Sequence, residues 1–166
     1  DTAYSHERCT VLEVMGRNAG YIALNVAIAG GSEVVLIPEK PFDMDRDIVK
    51  PIIEGRNRGK TDYSVIVAEG VGRVIEIASG IEEKTGIETR YTILGYIQRG
   101  GSPTVYDRVM ASRMGGKAVE ALENGRVNRL VCLSGNSLVD MDIEVGLKKT
   151  KSIDMSQLEL FKILSL

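Results

Sequence analysis

The sequence predicts an α/β fold, a parallel sheet flanked by helices together with part of a second lobe, and three observations carry that expectation. Apolar, β-rich runs recur at residues 9–14, 34–37, 63–68 and 91–94. They are continuously apolar rather than alternating, as strands covered on both faces are. Segments of helical length separate them, and such β-α-β alternation is what a doubly covered parallel sheet requires. A Gly-Gly-Ser-Pro break at residues 100–103 then marks a change of character and a hinge.

Each element follows from local chemistry. Residues 9–14 form the first strand. Residues 18–29 predict a helix with Asn18 as its cap and Gly30-Gly31 as its terminator. After a strand at 34–37, residues 45–56 predict a helix with acidic residues in the first turn and an arginine at its end, matching the helix dipole. Pro51 kinks or shortens it. The strand at 63–68 leads to a helix over 72–84, where Val74, Ile77, Ala78 and Ile81 recur at helical spacing and mark a core face. The fourth strand is 91–94.

Beyond Pro103 a long helix over 104–124 carries Val109, Met110, Arg113, Met114, Ala118 and Leu122 and stops at Gly125; a further strand follows at 130–133. Residues 152–166 close the chain as an amphipathic helix with Met155, Leu158, Phe161 and Leu164 on one side. The organisation this implies is a first domain over 1–102, a segment of a second lobe over 103–149, and a C-terminal helix within 150–166.

Composition narrows the function. Lys+Arg 21 against Asp+Glu 23 gives a formal net charge of -2, with no lysine-rich tract and 5% aromatic residues, which argues against a nucleic-acid face. Cys9 and Cys132 each lie in an apolar run outside any CxxC or Cys/His pattern and read as buried free thiols in a reducing cytosol. The longest apolar stretch, 21–29, is too short to span a bilayer and contains Asn25, so the chain reads as cytoplasmic with no membrane partner. Asp1-Thr2-Ala3-Tyr4-Ser5 lacks an initiator methionine and reads as the start of a fragment.

Four arginines are the chemical signal. Arg17 sits in Glu13-Val14-Met15-Gly16-Arg17 and Arg99 in Gly95-Tyr96-Ile97-Gln98-Arg99-Gly100-Gly101; Arg8 and Arg90 lie in or beside strand-like runs. Guanidinium groups at strand-to-glycine junctions of an acidic chain suit a small phosphorylated ligand, because they present forked donors where the backbone can approach closely. Ligands of parallel sheets collect at the carboxyl ends of strands. Met15-Gly16-Arg17, Glu69-Gly70 and residues 96–101 all fall there. The alternative for any one arginine is a solvated surface pair.

The blocks Ser5-His6-Glu7-Arg8, Glu13 through Gly20, Ile28-Ala29-Gly30-Gly31, Ala68-Glu69-Gly70, Glu88-Thr89-Arg90 and Leu94 through Pro103 closely resemble bacterial 6-phosphofructokinases, in unbroken order to about residue 140. The resemblance implies the fructose 6-phosphate-binding half of an enzyme that phosphorylates the sugar's 1-hydroxyl, inactive alone and a homotetramer in its full form. Matching positions imply that Met15, Gly16, Arg17, Glu69, Tyr96 and Arg99 hold the sugar phosphate in the chain's own site, while Arg8 and Arg90 reach into a neighbour's. Arg17 is similar to the arginine that steadies the transferring phosphoryl group, the catalytic role here. ATP and Mg2+ would be bound mainly by a half not present in these residues, and no metal ligand falls within them.

Two departures stand out. Tyr96 occupies a position where the family usually has histidine; a phenol still donates a hydrogen bond but cannot become cationic near neutral pH. Gly31, Ser32, Glu33, Arg58 and Lys60 match positions where the family binds the diphosphate of an ADP-like effector, yet Thr61 and Asp62 replace the lysine and histidine expected beside them. That exchange weakens attraction for a polyanion, and a solvated charged loop is the alternative. Glu7-Arg8 could exchange one charge for the other through a local turn at a subunit interface, an allosteric element, or could be a plain surface pair. His6, the sole histidine, reads as a capping or turn residue. A pyrophosphate-dependent enzyme, a non-catalytic sugar-phosphate-binding subunit and an oligomerisation module remain as rivals.

Overall fold

The computed structural model describes residues 5–150 and 152–165. The opening residues 1–4, and residues 151 and 166 at the edges of the expected terminal helix, lie outside them. Four parallel strands, β1 (Cys9–Val14), β2 (Val34–Leu36), β3 (Tyr63–Ala68) and β4 (Thr89–Ile93), form one sheet in the order β2-β3-β1-β4. β1 is central, with Cys9 opposite both Tyr63 and Thr89, and Val14 opposite Ala68. The chain runs from β1 across β3 to β2, returns to β3, and then passes across β1 to β4, so the two crossovers end on opposite edges of the sheet.

Both faces of the sheet are covered, which is why the strands read as continuous apolar runs. On one face Cys9, Val11, Val65 and Val67 pack against Ile48, Ile52, Ile77 and Ile81. These come from a π-helical segment (Met44–Val49), α2 (Lys50–Asn57) and α3 (Val74–Thr85). On the other, Val14, Ile66 and Ala68 meet Ala23, Leu24 and Ala27 of α1 (Tyr21–Gly30), and Leu158 and Phe161 of α6 (Met155–Leu164). Burying each valine, leucine, isoleucine or phenylalanine among them is worth about 1.5–3 kcal/mol. Met155 and Leu164, expected beside Leu158 and Phe161, are 51% and 54% exposed: the buried seam of α6 is narrower than its apolar spacing.

One local expectation is corrected and another is met. Asn18 does not cap α1. Residues 16–19 are taken up in a turn closed by Ala19 N–H donating to Gly16 O at 3.0 Å, and the helix begins at Tyr21 after Gly20. The Gly20 amide donates instead to the Glu39 carboxylate, at 2.9 Å to Oε1 and 3.1 Å to Oε2, an acceptor supplied from 19 residues away. Gly31, in the left-handed region at φ 64°, terminates α1 as its sequence predicts. Pro51 shortens its α-helix, as the sequence predicts: α-helical geometry begins only at Lys50. It falls in the first turn of α2, where its missing N–H costs nothing, and the preceding residues widen into the π-helical segment.

Gly101–Ser152 forms a separate compact unit. Its long helix α4 (Val105–Glu123) starts in a reciprocal cap: the Asp107 amide donates to Thr104 Oγ1 at 3.2 Å and the Thr104 amide to Asp107 Oδ2 at 2.8 Å. The strand expected at 130–133 is β5 (Arg129–Ser134), and it pairs antiparallel with β6 (Ser137–Asp142), which the sequence reading missed. β6 alternates with polar Asp140 and Asp142, so it lacks the continuous apolar signal. Asp140 is held by Arg126 and Arg129, each at 2.9 Å. A short helix, α5 (Ile143–Lys148), follows.

Candidate active site

β1, β3 and β4 end side by side, and their parallel direction brings three loops to one edge of the sheet, residues 15–20, 69–73 and 94–100. Backbone bonds lock the loops to the strand ends: Glu69 N–H donates to Val14 O at 2.8 Å and Leu94 N–H to Glu13 O at 3.2 Å. Gly70 then passes so close to the first loop that a Cβ would stand 2.2 Å from Arg17 O. Gly16, at φ 151°, and Arg17, at φ 50°, make the sharp reversal. A left-handed arginine costs about 1–2 kcal/mol. What holds it is Glu69, whose Oε1 accepts the Gly16 N–H at 3.1 Å and the Arg17 N–H at 2.5 Å. Neither bond uses Oε2.

Met15, Gly16, Arg17, Ile22, Glu69, Gln98 and Arg99 line an open cavity of about 310 Å³. Residues 95–99 form a 3-10 segment, Gly95–Arg99, in which side chains three apart eclipse. That places the Arg99 guanidinium carbon 4.7 Å from the centre of the Tyr96 ring, a cation–π contact that orients the guanidinium. Gln98 points elsewhere: its Oε1 accepts the Met15 N–H at 2.9 Å.

Charge is organised to match. The Arg17 and Gly16 amides, and then the positive charges of Arg17 and Arg99, hold the Glu69 carboxyl below the usual glutamate range. Burial, and then the nearby Glu69 charge, push the Glu13 carboxyl up. Among the described residues neither Arg17 nor Arg99 forms a salt bridge, while Arg8 and Arg90 both pair with Glu88, at 2.9 Å and 2.6 Å. Two guanidinium groups therefore face the cavity without a carboxylate on them.

The structure thus brings together five of the residues expected to hold a ligand, Met15, Gly16, Arg17, Glu69 and Arg99, with Tyr96 stacked beside them. It does not bring in Arg8 and Arg90. Arg8 precedes β1 and Arg90 lies opposite Thr10, at the amino edge of the sheet; at about 3.3 Å per strand residue, Arg8 is roughly 20 Å from Met15. Glu7, beside it, adopts φ 52°. His6 is exposed. Gln98 and Ile22 were missed. Gln98 stands inside the glycine-flanked block, but a glutamine there carries no sequence signal of its own.

Of the residues matched to an effector site, Glu33 and Lys60 engage each other and Arg58 lies near Glu54. Glu33 is buried, pairs with Lys60 Nζ through Oε1, and accepts the Ser64 N–H at 2.5 Å through Oε2. Ser32 is buried, Gly31 caps α1, and Arg58 lies 3.9 Å from Glu54. Among the described residues no group of three or more His, Cys, Asp or Glu side chains is arranged to hold a metal ion, and no helix is long and apolar enough to cross a membrane.

A four-stranded parallel sheet with a cavity at the carboxyl ends of its strands places the chain among the open α/β proteins, whose ligands collect at that edge. The family described as phosphofructokinase matches residues 1–122, and the chain belongs to that family. It is 53% identical over 160 residues to ATP-dependent 6-phosphofructokinase 1 of Clostridium perfringens (strain 13 / Type A), covering 96% of this chain and 50% of that protein. It is 49% identical over 166 residues to the ATP-dependent 6-phosphofructokinase of Alkaliphilus metalliredigens (strain QYMF), covering 100% of this chain and 52% of that protein.

Among solved structures, phosphofructokinase from Saccharomyces cerevisiae superposes with a TM-score of 0.83 at 30% identity, over 99% of this chain and 24% of that one. A pyrophosphate-dependent phosphofructokinase from Marinobacter aquaeolei has the same fold, with a TM-score of 0.76 at 22% identity over 93% of this chain and 45% of its own. The chain spans about half the length of the curated relatives it matches.

Proposed function

We propose that this chain supplies the fructose 6-phosphate half of a glycolytic, cytoplasmic ATP-dependent 6-phosphofructokinase and is inactive by itself. The observation that carries the proposal is the pair of guanidinium groups, Arg17 and Arg99, left free of carboxylates around the cavity at the ends of β1, β3 and β4. Arg99, oriented by Tyr96, takes the 6-phosphate with forked donors. Tyr96 contributes one phenol donor. Glu69 Oε2 accepts from a sugar hydroxyl, and Met15 and Gly16 supply the backbone wall.

In the reaction the sugar's 1-hydroxyl oxygen bonds to the terminal phosphorus of the donor as the bond to its bridging oxygen breaks. ATP with Mg2+ supplies the phosphoryl group and neutralises its charge. In this proposal ATP and Mg2+ are held mainly by polypeptide beyond this chain, which also supplies the base that takes the hydroxyl proton. Arg17 steadies charge on the transferring group. Since phosphoryl transfer depends mainly on positioning and charge stabilisation, loss of Arg17 lowers turnover more than sugar affinity.

Arg8 and Arg90 serve the site of a second copy in a homotetramer: both lie too far from their own cavity, and Glu88 holds them ready at the amino edge of the sheet. An ADP-like effector at Gly31, Ser32, Glu33, Arg58 and Lys60 would have to compete with Glu33 for Lys60. We assign Gly101–Ser152 to the nucleotide-side lobe and the sheet domain to the sugar.

The test is phosphate transfer to fructose 6-phosphate by the full-length polypeptide carrying this sequence, with ATP and pyrophosphate supplied separately and Arg17→Ala alongside. Activity with ATP that falls about 1,000-fold in the variant, the scale of a lost charge-stabilising group, supports the proposal. Activity with pyrophosphate alone reassigns the donor. Sugar-phosphate binding with no transfer from either donor makes the chain part of a regulatory subunit.

A further inference from the structure

We propose that Gln98 is a positioning residue that ties the loop after β4 to the loop after β1, and so fixes Arg99 relative to Arg17; the proposal rests on the assignment of this cavity as the sugar-phosphate site. The two arginines sit on loops whose nearest covalent connection is some eighty residues long. Glu69 clamps only the first of these loops, through the Gly16 and Arg17 amides. The side-chain bond from the second loop to the first is Gln98 Oε1 accepting the Met15 N–H at 2.9 Å.

The bond also settles which way the Gln98 amide faces. A backbone N–H can be accepted only by the carboxamide oxygen, so the end of the side chain is not free to flip. Its Nε2, with two N–H groups, has no partner among the described residues, in a side chain that lines the cavity. Gln98 therefore combines an acceptor committed to the protein with a neutral donor left for an anionic or hydroxylated ligand. Leucine could do neither, and methionine offers only a weak sulfur acceptor and no donor. A glutamate could keep the tether but would bring a second carboxylate beside Glu69 and repel a phosphate.

Two variants separate the two functions. Gln98→Met removes the acceptor at similar length; Gln98→Glu keeps it and removes the donor. In the 166-residue chain, hydrogen exchange of the Met15 amide is expected to quicken by up to about tenfold in Gln98→Met, the worth of one hydrogen bond, and to stay near wild type in Gln98→Glu. In the full-length polypeptide, Gln98→Met lowers kcat by about tenfold or more, since a displacement of about 1 Å at a reacting centre costs up to 100-fold. Gln98→Glu is expected chiefly to raise the KM for fructose 6-phosphate.

Unchanged Met15 exchange in Gln98→Met overturns the tether. Lost protection with kcat and KM both unchanged overturns the positioning role. If the wild type transfers no phosphate, the functional assignment fails and the positioning role fails with it, while the exchange measurement still decides whether the tether exists.

Discussion

Substituting Gly70 by alanine tests how the site is built, because at this position the only obstacle is space. Gly70 has no left-handed φ that alanine would resist, yet an added Cβ would stand 2.2 Å from Arg17 O and 3.2 Å from both Arg17 C and Asn18 Cα. These are backbone atoms, so no side chain can swing aside. A carbon-to-oxygen approach of about 3.3 Å requires the Arg17 turn to retreat by about 1 Å. The same movement stretches the bonds from Gly16 and Arg17 to Glu69 Oε1, which already stand at 3.1 Å and 2.5 Å.

Overpacking of this kind costs about 1–3 kcal/mol, which for a chain of this size lowers the unfolding midpoint by roughly 2–12 °C. Displacing Arg17 by about 1 Å is expected to reduce turnover by up to about 100-fold. Thermal unfolding of the 166-residue chain and phosphate transfer by the full-length polypeptide read the two effects. A Gly70→Ala protein with wild-type midpoint and turnover within about twofold of wild type would falsify the close approach of the two loops.

Three further outcomes are expected. The Cys9 thiol is pushed up from 9.0 to about 12 by burial and then by Glu33, against a hydrogen bond from Thr89. Below pH 9 both folded and unfolded chains keep this proton; between pH 9 and 12 only the folded one does, so stability falls by about 1.4 kcal/mol per pH unit. Urea unfolding of wild type and Cys9→Ala from pH 8 to 11 should show that this component of the slope disappears in the variant. Thr104→Ala removes the side-chain half of the α4 cap and is expected to destabilise Gly101–Ser152 by about 1 kcal/mol, seen as earlier urea release of amide protection in α4; unaltered protection would argue against the cap. Tyr96→His places a ring of pKa about 6.5 beside the 6-phosphate, and the KM for fructose 6-phosphate should fall more at pH 6 than at pH 8, a difference absent if Tyr96 stands away from the phosphate.

The strands of the parallel sheet were legible because burial on both faces leaves a local trace, the unbroken apolar run, as in Cys9–Val14 and Tyr63–Ala68. So were stops and starts made by neighbours in sequence, such as Gly31 after α1 and the helix that begins beyond Thr104. β6 escaped because Ser137–Asp142 is interrupted by Asp140, whose solvation is replaced by Arg126 and Arg129, contacts 14 and 11 residues away. α1 began late because its first free amide is satisfied by Glu39, which no capping pattern at Asn18 could announce.

By itself the sequence determined the layered α/β architecture, the glycine-flanked blocks and the arginines that a phosphate ligand calls for, since each depends on residue type and short-range spacing. Only the tertiary structure decided which charges are available. Arg8 and Arg90 share the single carboxylate of Glu88 while Arg17 and Arg99 pair with none among the described residues, Glu69 spends one oxygen on two backbone amides, and Gln98 fastens one loop to another. Those outcomes depend on distances between groups far apart in the chain, and hydrogen bonds and ion pairs act only over the few ångströms that folding brings about.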